Sequence, residues 1–200
     1  SLLGAIRAAS QNISYELAMG MSIIAILMLS GSLSTKAIVE AQQAGHWNIL
    51  SQPIGFIIFL ICAFAECNRT PFDLPECETE LIGGYHTEYS SMKLGFYLFA
   101  EYINMFISGA VMATLFFGGY DYPGYSFIAA QFGSNAAAFL GMGALIGKAL
   151  FFVFIFMWVR WTIPRFRYDQ LMHLGWKVLL PLALFNIFAT GLVMWGMGKL

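Results

Sequence analysis

The sequence contains few charged residues. Asp, Glu, Lys and Arg make up only 10% of its 200 residues, whereas 59% are hydrophobic and 16% are aromatic. Because soluble globular domains carry about 25% charged residues, this composition is typical of an integral membrane protein. The formal net charge of −1 provides no surplus of cations for binding phosphate, so a nucleic-acid partner is not expected.

Familiar catalytic and cofactor motifs are also missing. There is no GxGxxG, phosphate-binding loop, CxxC set or catalytic-triad arrangement, so we expect no redox centre in this chain. Cys62, Cys67 and Cys77 have no metal-ligand spacing with His86, so no metal site is expected and the cysteines are interpreted as small apolar side chains. The chain begins at Ser1 without a signal-peptide pattern, so we expect a fragment or a protein whose first part is not included.

Most of the sequence consists of long apolar runs. Five runs, alone or with flanking residues, are long enough to cross about 30 Å of hydrocarbon at about 1.5 Å per residue. The sequence therefore predicts an all-α, polytopic transmembrane helical bundle that forms a single integral membrane domain over residues 1–200. Residues 1–12 are expected to form a short surface helix. The predicted spans are 13–33, 50–66, 94–118, 139–159 and 176–196, and the second must borrow flanking residues because its apolar stretch is short.

The distribution of cations predicts the orientation. Cytoplasmic loops of membrane proteins carry an excess of Lys and Arg. If the N-terminal end is cytoplasmic, that side holds most of the cations and the opposite side holds mainly Lys36 and Lys199. We therefore expect the acidic loop 66–93 and the loop 160–177 to lie together on the cytoplasmic side. The cations on that side are Arg7, Arg69, Lys93, Arg160, Arg165, Arg167 and Lys177.

The acidic loop concentrates the carboxylates of the chain. The pattern from Asp73 to Glu76 is typical of a capping box, and Gly83 with Gly84 would end the helix, so a short helix is expected near 74–83. Glu76 and Glu80 would share a face of that helix, and repulsion between them should raise at least one pKa. The alternative is a solvated loop that keeps the membrane face soluble.

Three acids, Glu16, Glu101 and Glu66 at the start of the acidic loop, lie inside or at the edge of apolar spans. An ionised carboxylate in a span costs several kcal/mol unless it faces a polar cavity, pairs with a cation or carries a proton. We therefore predict a hydrated acidic path, with Arg69 and the arginines of loop 160–177 as candidate partners. The alternative is that each acid is satisfied locally, since Tyr15 and Tyr102 are adjacent in sequence to Glu16 and Glu101.

Three stretches carry a resemblance to a known family. AECNRTPFDLPECETELIGGYHTEYSSMK, FAEYINM and WVRWTIPRFRYDQLMHLGWK resemble the membrane subunit designated H of the proton-pumping NADH:quinone oxidoreductase, respiratory complex I, which is the counterpart of the mitochondrial ND-one subunit. The resemblance extends over essentially the whole chain. It implies that the chain matches the last five of the family's eight transmembrane helices and lies in a bacterial plasma membrane.

The resemblance also implies cofactors, partners and residue roles. This chain would bind no cofactor, quinone would be the substrate, and FMN, NADH and iron–sulfur clusters would belong to partner subunits. The partners would be peripheral-arm subunits with the terminal cluster, small membrane-arm subunits, quinone and lipid. The implied roles are a quinone tunnel at Arg69, Phe72 and Asp73; a proton path at Glu16, Glu66, Glu76, Glu78, Glu80 and Glu101; and a junction at Glu88, Arg160, Arg165, Arg167 and Asp169.

Two other classes of protein fit parts of this pattern. A homologous membrane subunit of an energy-converting hydrogenase, a ferredoxin-linked complex or a cofactor F-linked dehydrogenase would share the architecture without reducing quinone. A stand-alone proton channel or transporter would also carry charges in its spans. Against the second alternative, no internal repeat is visible and the acids gather at one face, as expected for a surface that meets a partner.

Overall fold

In the computed structural model, residues 1–73, 88–125 and 134–197 are described, except for the side chain of Ser134. Every regular element within these ranges is helical. The predicted helix near 74–83 lies outside the described residues. The elements are α1 (Leu2–Ser30), α2 (Thr35–Ala44), α3 (Asn48–Ser51), α4 (Pro53–Glu66), α5 (Ser91–Phe116), α6 (Ser134–Thr162), α7 (Tyr168–His173), a π-helical segment (Leu174–Leu179) and α8 (Leu180–Gly196).

The predicted membrane bundle is confirmed. Among the described residues, four helical stretches are long and apolar enough to cross a membrane, and the shorter apolar helix α4 adds 14 residues. The long stretches are α1, α5, α6 and the continuous run from α7 through α8. Each begins before the predicted span, whereas α1 and α5 end at Ser30 and Phe116, before the predicted ends at 33 and 118.

The first two spans differ in detail from the sequence prediction. No break separates a surface helix from the span near residue 13, since α1 is one helix of 29 residues that ends at Gly31 with a φ of 65°. The second apolar stretch is interrupted instead. Pro53 disfavours helical geometry in the preceding residue, and Gln52 has a φ of −134° and a ψ of 57°, so α3 and α4 are separate helices.

Helix α4 lies at the centre of the bundle. It packs most extensively against α1, which also contacts α8, while α5 packs against α6. Aromatic side chains fill the space between α4 and its neighbours. The rings of Phe64 and Phe156 meet edge to face at 4.4 Å, and those of Phe56 and Phe116 at 5.3 Å. This aromatic core fixes the end of α4, from which the charged segment continues.

Large apolar side chains also face outward. Phe139, Phe188 and Trp195 are 81%, 70% and 73% exposed in the isolated chain. Large apolar side chains exposed to this extent are expected where a helix faces lipid or another subunit.

Candidate functional site

The residues from Ala65 to Asp73 form a compact segment, here called the 65–73 segment, at the end of α4. Gln11 of α1 holds both of its ends. The Nε2 of Gln11 donates to the carbonyl of Ala65 at 2.9 Å and to the carbonyl of Phe72 at 3.1 Å. Gln11 is 1% exposed, so the contacts join two elements in a dry environment.

Two of the predicted intramembrane acids share one cavity. Glu16 of α1 and Glu66 of α4 both line a space of about 240 Å³, and both are exposed in the isolated chain. Water fits in a cavity of this size when polar groups surround it. The other lining residues are Asn12, Tyr15, Met19 and Cys62.

The third acid, Glu101, is paired. Arg69 Nη2 lies 3.3 Å from Glu101 Oε2, and the two side chains are only 10% and 13% exposed. The guanidinium of Arg69 also lies over the ring of Tyr102, 4.6 Å from its centroid. Arg69 is thus enclosed by a carboxylate and an aromatic face, both from α5, an arrangement that offsets part of the cost of burying the cation.

A second ion pair joins the 65–73 segment to the loop after α6. Arg165 Nη2 lies 3.0 Å from Asp73 Oδ2, and the amide of Phe166 donates to the carbonyl of Pro71 at 3.2 Å. Phe72 is 4% exposed, with its ring 5.5 Å from that of Tyr15 and 5.7 Å from that of Phe166. The two loops expected to meet therefore do so in their described parts.

The start of α7 is tied to α1 at the same end. The hydroxyls of Ser10 and Tyr168 lie 2.9 Å apart, and the guanidinium of Arg7 lies 5.8 Å from the centroid of the Tyr168 ring. The hydroxyl of Tyr15 donates to the carbonyl of Leu171 at 2.9 Å. Tyr15 therefore bonds to the backbone of α7 rather than to Glu16, its neighbour in sequence.

The remaining predicted site residues are more peripheral. Glu88 accepts a hydrogen bond from the hydroxyl of Ser1. Arg160, Arg167 and Asp169 are exposed, and Asp169 lies in the first turn of α7. Glu76, Glu78 and Glu80 lie outside the described residues, as do Cys77 and His86.

Sequence reasoning missed the residues that organise the opposite end of the bundle. Lys148 Nζ donates to the carbonyls of Phe117 at 2.7 Å and Gly119 at 3.0 Å, and also to the carbonyl of Asp121. The ammonium lies 5.1 Å from the centroid of the Trp47 ring. The signal was present, since Lys148 is an isolated cation in an apolar span, a position that normally requires polar partners.

A buried polar cluster near the start of α4 was also missed. Gln52 Nε2 donates to Thr190 Oγ1 at 2.6 Å, and Asn186 Nδ2 donates to Gln52 Oε1 at 2.8 Å. All three side chains are at most 5% exposed. The cluster joins the break between α3 and α4 to α8. Single amides in apolar runs were the available signal, but sequence does not show which of them meet.

The fold and this site together define an integral membrane helical protein with ion pairs and a carboxylate-lined cavity at one end of the bundle. Comparison with known sequences identifies the family. Residues 1–191 match the sequence model of NADH dehydrogenase, and the chain belongs to this family.

Individual relatives agree with that assignment. The chain is 66% identical over 192 residues to the NADH-quinone oxidoreductase subunit designated H from Flavobacterium psychrophilum and 63% identical over 193 residues to the same subunit from Flavobacterium johnsoniae. It is 51% identical over 200 residues to NADH-quinone oxidoreductase subunit 8 of Rhodothermus marinus. Each alignment covers 96% of this chain but only 56%, 55% and 59% of the respective relative. The chain therefore spans little more than half the length of these relatives.

Proposed function

We propose that this chain forms part of the membrane arm of a proton-pumping NADH:quinone oxidoreductase, where it helps to line the quinone tunnel and couples quinone reduction to proton translocation. The 65–73 segment contributes Arg69 and Asp73 to the tunnel wall. Phe72, packed between Tyr15 and Phe166, supports that wall from behind. The names of the relatives support the quinone reaction. The contacts of Arg69, Phe72 and Asp73 support the roles given to these three residues.

The observation that carries the proposal is the continuity between the ion pairs and the acid cavity. The 65–73 segment begins beside Glu66, which lines the cavity with Glu16, and it contains Arg69 and Asp73, which pair with Glu101 and Arg165. A change in charge near Arg69 therefore acts on a carboxylate of α5 within a few ångströms. It also acts on a segment that is covalently continuous with the cavity.

The mechanism follows from the electrostatics of coupled carboxylates. Reduction of a quinone to a quinol takes up two electrons and two protons. Negative charge arriving beside the 65–73 segment competes with Glu101 for Arg69 and raises the proton affinity of nearby carboxylates. Protonation of Glu16 and Glu66 then changes in response, so that the reaction in the tunnel is coupled to proton occupancy in the membrane. Glu76, Glu78 and Glu80 extend the path in the proposal.

The proposal assigns the remaining machinery to other chains. NADH, FMN and the iron–sulfur clusters belong to peripheral-arm subunits, and small membrane-arm subunits continue the proton path. The exposed junction residues Arg160, Arg167 and Asp169 face those partners, together with Glu88. The assembly lies in the bacterial plasma membrane, with lipid against the outward-facing apolar side chains.

Substitution of Glu66 by Gln in the intact complex tests the proposal. Gln keeps the size of the side chain but cannot exchange a proton, so we expect coupled quinone turnover to fall at least about tenfold. This loss is smaller than the usual effect of removing a positioned proton-transfer group, because water in the cavity can partly replace the carboxylate. The measurement is NADH:quinone activity together with protons translocated per electron in proteoliposomes.

Glu40→Gln is the matched control. Glu40 makes an exposed pair with Lys36 at 3.6 Å, so its substitution should leave both quantities unchanged. Normal turnover with normal proton stoichiometry in Glu66→Gln would contradict the proposed role of the cavity. A nickel–iron subunit co-purifying with the chain in place of NADH-oxidising subunits would replace the quinone reaction with the hydrogenase alternative.

A further inference from the structure

Gln11 occupies an unusual position for a neutral side chain in a membrane-length helix. It is 1% exposed, and its two shortest hydrogen bonds go to the backbone of the 65–73 segment. Its Nε2 reaches the carbonyls of Ala65 at 2.9 Å and Phe72 at 3.1 Å, with Asn68 Oδ1 3.5 Å away. One amide group thus connects the two ends of the segment to α1.

The chemistry of the contact requires an amide donor. Both close neighbours of the Gln11 head group are carbonyl oxygens, which only accept hydrogen bonds, so the NH₂ group must face them. A carboxylate of the same shape would place oxygen against oxygen. A methionine of similar length would fill the volume but donate to neither carbonyl. The Ala65 carbonyl would keep the amide of Asn68 at 3.3 Å, so the cost of a lost donor falls mainly on the carbonyl of Phe72.

Arg69 holds the middle of the segment through its buried pair with Glu101, but the other contacts at the Phe72 end are less rigid. Asp73 pairs with Arg165, whose side chain is 44% exposed, and Pro71 accepts from Phe166 in the same exposed loop. An ion pair this exposed is weakened by solvent. Gln11, by contrast, projects from the middle of a continuous helical turn of α1, so its hydrogen bonds fix the carbonyl of Phe72 relative to a rigid element.

We infer that Gln11 is a positioning residue for quinone binding, an inference that rests on the proposed function of the 65–73 segment. By fixing the backbone at Ala65 and Phe72, Gln11 sets where Arg69 and Asp73 stand relative to their partners Glu101 and Arg165. It does not touch the substrate. Loss of its donor therefore loosens the tunnel wall while leaving the charged groups themselves in the chain.

The test is Gln11→Met in the intact complex, with the KM and kcat for a short-chain quinone measured separately. Activity is normalised to NADH oxidation by a water-soluble acceptor that does not require the membrane arm. We expect the KM for quinone to rise about fivefold, the equivalent of about 1 kcal/mol, with a smaller change in kcat. Gln11→Asn, whose amide is one methylene shorter and cannot reach both carbonyls, should raise the KM less.

Gln42→Met is the matched control. Gln42 is also buried, at 3% exposed, and its Nε2 donates to the carbonyls of Thr114 and Leu115, but at the opposite end of the bundle. Its substitution should lower the yield of assembled complex without changing the KM for quinone. An unchanged KM in assembled Gln11→Met, or in Gln11→Asn if the Met variant does not assemble, would overturn the inference and leave Gln11 a structural residue.

A parallel Arg69→Gln variant separates this inference from the function on which it rests. If Arg69→Gln alters quinone kinetics and the Gln11 variants do not, only the positioning role is lost. If Arg69→Gln and the Gln11 variants all leave quinone kinetics unchanged, the tunnel assignment of the segment itself is contradicted.

Discussion

The energetic cost of losing one partner of an ion pair in this protein depends on how deeply the pair is buried. Arg69 and Glu101 form a pair whose side chains are 10% and 13% exposed, whereas Lys36 and Glu40 form one whose side chains are 78% and 54% exposed. Removing one partner of a buried pair costs about 3–5 kcal/mol, while an exposed pair contributes about 0–1 kcal/mol. The two pairs have similar N–O distances, but removing one partner should destabilise the protein far more at the buried pair than at the exposed pair.

Charge reversal at each pair tests this difference. Arg69→Glu places a second carboxylate against Glu101, so we expect the yield of assembled complex or its quinone turnover to fall at least about tenfold. Lys36→Glu makes the same change of charge at the exposed pair and should alter either quantity less than twofold. Both are measured in purified complex, and equal effects of the two variants would contradict the importance assigned to Arg69.

The sequence was a good guide to which carboxylates lie in or beside apolar spans and a poor guide to their partners. Glu16, Glu66 and Glu101 could be selected because a carboxylate in an apolar span is costly. Their surroundings depend on tertiary packing between distant parts of the chain, such as Arg165 and Asp73, which are 92 residues apart. Gln11 escaped notice because a neutral amide near the end of a span carries little cost by itself, and its value depends on the carbonyls it meets.

Among the helices, α5 and α6 approach closely at a glycine. A Cβ atom added at Gly109 would lie 3.1 Å from the carbonyl oxygen of Ala149 and 3.3 Å from the Cβ of Phe152. Small residues allow such close approach between membrane helices. Gly95, on the same helix, has open space within 4 Å of the corresponding position.

Alanine substitution at the two glycines should therefore have opposite effects. Each change gains up to about 1 kcal/mol of helix propensity. At Gly109 the added methyl pushes α5 away from α6, at a cost of about 1–3 kcal/mol, so Gly109→Ala should lower the thermal stability of the complex. Gly95→Ala meets no such contact and should maintain or raise it. Stability is measured by thermal unfolding in detergent. A Gly109→Ala complex as stable as Gly95→Ala would show that the contact can relax.

Helix type was predictable from apolar length, but helix boundaries were not. Helix α1 is continuous through residues 1–12 because most of these residues favour helix and none is proline. The prediction gave more weight to the polar residues in this stretch and therefore placed a separate surface helix there. The break before α4 follows from Pro53, which lies inside the predicted span 50–66. In both cases backbone chemistry, rather than hydropathy, determined the boundary.

Among the described residues, most cations lie at the end of the bundle that holds the 65–73 segment, whereas Lys36 and Lys148 lie at the other end, and this asymmetry predicts the orientation. A membrane-impermeant maleimide should label Arg167→Cys only from the cytoplasmic side and Lys36→Cys only from the opposite side, in membranes washed free of peripheral subunits. Labelling of both positions from the same side would contradict the assigned topology.

The native cysteines should not obscure that experiment. Cys62 and Cys67 are each 1% exposed, and burial raises the pKa of the Cys67 thiol to about 11, so it remains a poorly reactive thiol at neutral pH. A Cys77→Ser background removes the remaining cysteine, which lies outside the described residues.

The most direct test is a structure of the intact complex with quinone bound, in a lipid environment. We expect the quinone to lie beside the 65–73 segment, next to Arg69 and Asp73. A chain of ordered water should lead from there to the cavity between Glu16 and Glu66. A quinone site separated from Arg69 and Asp73 by packed protein, with no hydrated connection to that cavity, would contradict the proposed coupling.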